Sequence, residues 1–180
     1  MKSTSTTRKA FETDHQPIPE DPDWPRRMKD RSVAYLERYD SCTQSILWAF
    51  MEDLGLENRM VLRAAGAMQG GMMNSLTCGV HTGGLMILGL LVGRENLESG
   101  LDGMMPIIDP AQRLVKTLNE RIGGHSCLEM TGVDFTDLEA ALIYKLSDDH
   151  YRCVRRVGEG AAAIAQLLQD LAAKGALFRF

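Results

Sequence analysis

Four cysteines, Cys42, Cys78, Cys127 and Cys153, are the residues of this sequence with the most chemistry to offer. A thiolate can attack a disulfide, ligate a metal or close a disulfide of its own, and its surroundings decide which. Cys78 stands at the head of Thr77–Gly93, a stretch that reads as a helix start followed by an apolar run with glycines spaced along it. Gly66, Gly70 and Gly71 supply a turn before it, and Asn74, Ser75 and Thr77 are cap-type residues. In a first helical turn Cys78 faces unpaired N–H groups and the positive end of the macrodipole. Its thiol is therefore expected below the ordinary pKa of about 8.5.

Cys127 has a similar place. Ser126-Cys127-Leu128-Glu129 reads as a capping box, with Ser126 as N-cap, Glu129 reaching back and Cys127 at the first position of a short helix ended by Gly132. Cys42 shares an apolar helix face with Ile46, and Cys153 opens the stripe Val157, Ala161, Ile164, Leu168 and Leu171 of a long final helix. Four inward-directed thiols from four helical segments suit an iron–sulfur cluster, or a tetrahedral zinc. Zinc ranks lower because no CxxC knuckle is present. Redox-active thiol pairs satisfy the same pattern, and so do four unrelated cysteines that fill a core as small hydrophobes.

His81 follows Cys78 by three residues and shares its helix face, where it could bind metal or activate the thiol. His125 and His150 also precede cysteines closely but read as surface or cap residues, and His15 lies in the tail. The 11 methionines, among them Met68, Met72 and Met73 beside the central turn, read as flexible packing rather than haem or copper ligands, since no haem-attachment motif accompanies them.

The elements that must position these groups are helical. Residues 1–27 hold four of the six prolines and read as a flexible arm, with Trp24 pinning its end to the body or, less favoured, touching a second copy in a homodimer. A helical four-cysteine domain is expected over 28–180. One helical pattern runs from Met28 to Leu54, with Gly55 as C-cap, and a second covers Glu57–Met68. After the central helix, Arg94–Pro110 reads as loop, and Pro110 suits the first position of a helix over Ala111–Ile122. Asp134 or Thr136 caps a short helix through Tyr144, and the last helix covers Asp149–Lys174. No stretch alternates as a strand does, so the expected fold is an all-α, single-domain bundle of about five to seven helices.

At 180 residues the chain is long enough for one real core. A net charge of −4 with no basic stripe gives nucleic-acid binding no support. The longest apolar run, Leu85–Val92, is too short to span a bilayer, and no signal-peptide pattern opens the chain, so a cytoplasmic location is expected.

Ser41-Cys42-Thr43-Gln44-Ser45-Ile46-Leu47, Thr77-Cys78-Gly79-Val80-His81-Thr82-Gly83, Ser126-Cys127-Leu128-Glu129 and Cys153 with Val157 together resemble the C_GCAxxG_C_C family of redox-active proteins. The likeness covers roughly Val33–Leu168, and Thr77 stands where the signature has glycine. The resemblance implies a small helical protein with a cysteine-bound redox centre, and a related domain in split-Soret cytochrome c is associated with an iron–sulfur cluster. Transferred by position, the ligands are Cys42, Cys78, Cys127 and Cys153. The expected function is then electron transfer through an iron–sulfur cluster, 2Fe–2S in preference to 4Fe–4S, with a redox protein as partner. The alternatives are a thiol–disulfide oxidoreductase centred on Cys78 and His81, and a structural bundle with core cysteines. No haem-attachment Cys-x-x-Cys-His occurs, so the cytochrome function does not carry over.

Overall fold

The computed structural model describes residues 17–177. It is all-α, with eight α-helices and, among the described residues, no strand beyond one isolated antiparallel bridge between Thr77 and Ser126. The helices are α1 (Trp24–Tyr39), α2 (Cys42–Leu54), α3 (Arg59–Ala64), α4 (Gly79–Val92), α5 (Met105–Ile122), α6 (Cys127–Thr131), α7 (Leu138–Leu146) and α8 (Tyr151–Ala173). Helix α1 lies along α8 and against α2, α2 packs on α4, and α5 closes against both α4 and α8. No helix among the described residues is long and apolar enough to cross a membrane.

The single pattern expected from Met28 to Leu54 is two helices. Asp40 takes a left-handed conformation (φ 59°) and its N–H closes α1 on Leu36 O, while extended Ser41 caps α2 by accepting from Gln44 N–H. This break moves Cys42 from mid-helix to the first residue of α2. The helix start also lies earlier than Met28. Trp24 and Pro25 already belong to α1, proline being tolerated in a first turn because its missing N–H would be unpaired there. Trp24 is fully buried, meets Phe50 edge-on at 5.6 Å and donates its indole N–H to Asp53 at 2.6 Å. Ile18 is buried as well, so the C-terminal part of the expected arm packs on the body; residues 1–16 lie outside the described residues.

Helix α5 also starts early. Pro106, not Pro110, occupies its first turn, and Pro110 is a buried interior residue. Helix α7 is capped by Asp137, whose carboxylate accepts from the N–H groups of Glu139 and Ala140, so neither Asp134 nor Thr136 is its cap. A short turn over Asp148–His150 precedes α8.

The glycines of α4 have a packing cause on one side. A Cβ on Gly79 would stand 2.2 Å from Cys42 Sγ, and one on Gly84 would press on Ile164 and Leu114. Such glycines weaken a helix by roughly 0.8–1 kcal/mol each. Burial of Ile87, Leu88 and Leu91 in the same helix contributes roughly 1.5–3 kcal/mol per side chain, which outweighs them.

Candidate functional site

Two of the cysteines are fixed to each other through the backbone. Cys78 N–H donates to His125 O at 2.9 Å, and Cys127 N–H donates to Leu76 O at 2.7 Å, the two bonds flanking the Thr77–Ser126 bridge. Ser126 caps α6 by accepting from Glu129 N–H at 3.1 Å, and Glu129 reaches back to accept from His125 N–H at 3.3 Å. Cys127 is thus the first residue of α6, as the Ser126 cap requires, although Glu129 reaches one residue past the N-cap N–H that a full capping box uses. Cys78 sits one position before the expected first turn, as the N-cap residue of α4. The chain reaches it through a tight turn in which Gly70, Gly71, Met72 and Met73 all have positive φ.

Cys42 and Cys153 complete the set. Cys42 is the first residue of α2, beside Gly79, and Cys153 is in the first turn of α8. The Tyr144 hydroxyl lies 3.2 Å from Cys153 Sγ and 3.3 Å from Asp149 O, so its one hydrogen serves either acceptor, and a Cys153 thiolate would claim it. All four cysteines line a single cavity of about 270 Å³, whose walls include Met130, Phe135 and Leu142. Each therefore stands at a helix start, where the backbone dipoles favour negative charge. Lys145 of α7 pairs with Asp40 at 2.5 Å across the same cavity.

Burial overrides the helix starts in setting the thiol chemistry. The expected lowering of the Cys78 thiol does not occur: a hydrogen bond with Cys127 and then loss of solvent push it well above its ordinary value, against a downward pull from His81. Burial, reinforced by Cys78, raises Cys42 to about 11, while the Gly70 N–H draws it back. Burial also raises Cys153, with the Tyr144 hydroxyl and the Arg156 guanidinium acting the other way. The physical reason is that dipoles of a helix start favour charge by an amount that desolvation of a thiolate in an apolar cavity exceeds. All four are free thiols, and among the described residues no three His, Cys, Asp or Glu side chains are grouped to hold a single metal ion.

His81 is fully buried beside Cys78 and places Nε2 at 2.8 Å from Asn119 Oδ1. With that amide oxygen as acceptor, Nε2 carries the proton and Nδ1 keeps its lone pair, and Nδ1 has no hydrogen-bond partner. His125 is exposed, as expected, with its ring edge on His81 at 4.9 Å. His150 is the N-cap residue of α8, within the expected surface-or-cap role, and is also half-buried on the cavity wall.

Sequence reasoning missed Asn119, Tyr144 and Arg156, which reach the site from α5, α7 and α8. Nothing local marks them, because each is brought there by tertiary packing. The position of Cys42 did have a local signal. Ser41-Cys42-Thr43-Gln44 has the same serine-x-x-amide spacing as a capping box, although the Gln44 side chain donates to Leu62 O instead of reaching back.

A family model described as putative redox-active protein (C_GCAxxG_C_C) matches residues 40–167, which contain all four cysteines, and the chain belongs to that family. No curated protein and no solved structure matches it.

Proposed function

We propose that this member of the C_GCAxxG_C_C family holds an iron–sulfur cluster, 2Fe–2S in preference to 4Fe–4S, on Cys42, Cys78, Cys127 and Cys153 and passes single electrons to a redox partner protein. The observation that carries the reading is the meeting of four thiols, from four separated segments, on one cavity of about 270 Å³. Four thiolates are the full ligand complement of either cluster type. A single zinc would instead need four donors within about 2.3 Å of one point. A cluster asks that the thiolates reach different irons, two to each in 2Fe–2S and one to each in 4Fe–4S.

When bound, such a cluster supplies the one-electron couple. The chain supplies its setting. N–H groups of Gly70 and Val80 are directed at Cys42 and Cys78, and the Tyr144 hydroxyl at Cys153, so ligand charge is shared with fixed donors. Met130, Phe135 and Leu142 give the cavity a mostly apolar wall.

Protein purified without oxygen, or reconstituted with iron and sulfide, is expected to be brown, with visible absorption that bleaches under dithionite. Cys→Ser at 42, 78, 127 or 153, one at a time, is expected to remove most of the bound iron. Colourless, iron-free wild-type protein from both preparations would overturn the reading.

A second reading rests on the contact between the Cys78 and Cys127 thiols. Here the Cys78 thiolate attacks a substrate disulfide, and Cys127 resolves the mixed disulfide. Two electrons and two protons leave the protein dithiol, an S–S bond forms between Cys78 and Cys127, and the substrate disulfide becomes two thiols. His81, which draws the Cys78 thiol downward, would be the base that takes its proton. A reversible Cys78–Cys127 disulfide in iron-free protein, detected by mass spectrometry after oxidation with oxidised glutathione, would favour it.

A further inference from the structure

We propose that Arg156, which lines the four-cysteine cavity and has a buried, unpartnered guanidinium nitrogen, is the counter-charge of the redox centre and holds its reduction potential up. The inference rests on the cluster reading above. Arg156 stands three residues after Cys153 on α8, so the two side chains lie on one face, and both line the cavity.

Its guanidinium is clamped. Nε donates to Ile122 O at 3.3 Å, at the C-terminus of α5, and Nη2 donates to Met130 O at 3.0 Å, in α6. Nη1 is buried and has no hydrogen-bond partner. Arg156 takes part in no ion pair among the described residues, and the one aspartate on the cavity wall, Asp40, is already paired with Lys145.

Arginine cannot relieve this by giving up its proton, so its charge persists at every working pH. Uncompensated buried charge is costly, and the natural remedy is an anion within reach of Nη1. The remaining groups on this cavity that can become anionic are the thiols and the Tyr144 phenol, and burial holds that phenol protonated. Four thiolates around a cluster supply that anion. Reduction adds one electron, breaks no bond and makes the centre more negative by one charge. A fixed positive charge beside it therefore stabilises the reduced form more than the oxidised form. The two carbonyl clamps keep the guanidinium from turning away, so this bias needs no rearrangement during transfer.

The test is a dye-mediated potential titration of anaerobically reconstituted full-length protein, comparing wild type with Arg156→Met, Arg156→Gln and Arg156→Lys. The neutral variants are expected to shift the oxidised-to-reduced ratio at fixed potential at least tenfold toward oxidised, a fall of about 59 mV or more for a one-electron couple. Arg156→Lys is expected to stay closer to wild type. Loss of the cluster in both neutral variants with retention in Arg156→Lys also supports the proposal, since charge is then what the centre requires. An unchanged midpoint in a neutral variant that keeps its iron overturns it. So does loss of the cluster in all three variants, which would assign Arg156 to carbonyl clamping alone. Wild-type protein that takes up no iron would bring down the cluster reading and this inference together, whereas a coloured wild type with an unmoved midpoint defeats only this one.

Discussion

His81 Nε2 and Asn119 Oδ1 meet at 2.8 Å and join the buried face of α4 to α5 directly behind Cys78. The amide oxygen fixes which imidazole nitrogen carries the proton and leaves Nδ1 without a hydrogen-bond partner. Asn119→Ala strands a buried N–H donor, which costs roughly 1–3 kcal/mol. Urea unfolding followed by circular dichroism should show a lower midpoint with an unchanged slope. An unchanged midpoint would mean that water replaces the amide without loss.

Gly79 and Gly89 lie in the same helix and should respond in opposite directions to alanine. A Cβ at Gly79 would stand 2.2 Å from Cys42 Sγ and 2.6 Å from Thr43 Oγ1, whereas one at Gly89 meets nothing within 4 Å. Gly79→Ala is expected to destabilise by about 1–3 kcal/mol and to displace Cys42, reducing iron uptake. Gly89→Ala is expected to stabilise by up to about 1 kcal/mol through helix propensity alone. Thermal melts of the two variants beside wild type check both signs.

The metal-free protein should lose stability in alkali. Cys42 is raised from 9.0 to about 11, and Cys78 and Cys153 are also raised, so the folded state keeps protons that the unfolded chain releases. Their contribution is fully present below the unfolded thiol pKa and is lost as pH rises through the folded values. Unfolding free energy measured in urea should therefore fall between about pH 9 and pH 11, and Cys42→Ser should flatten that fall. A flat profile in wild type would contradict the burial of these thiols.

Much of the site was legible because its signals are local. Ser126 and Glu129 announce Cys127, and the glycine turn announces Cys78. The all-α class follows from apolar spacing that strands cannot produce. The break at Asp40–Ser41 was hidden for a specific reason: Leu36, Tyr39, Ile46, Leu47 and Phe50 keep helical spacing across it, so periodicity ran on while the cap residues stopped the helix. The thiol pKa direction was misread at Cys78 because a helix start is visible in sequence, and the approach of Cys127 and the depth of the cavity are not. Arg156 could not be singled out at all. Beside Arg155, which is exposed, it differs only in the direction its helix faces once α5 and α6 are in place.

The bridge between Thr77 and Ser126 makes the Cys78 and Cys127 segments one unit of local unfolding. The amide hydrogens of both cysteines are committed to the opposite segment, each donating to the residue before its partner's neighbour, so releasing one segment releases the other. Their exchange with solvent deuterium should then be correlated, with a common opening free energy. For any group held on these thiols, this means that half of its ligands are presented or withdrawn together. Dissociation from this side is consequently a concerted opening event, timed by the backbone rather than by the bond to either sulfur.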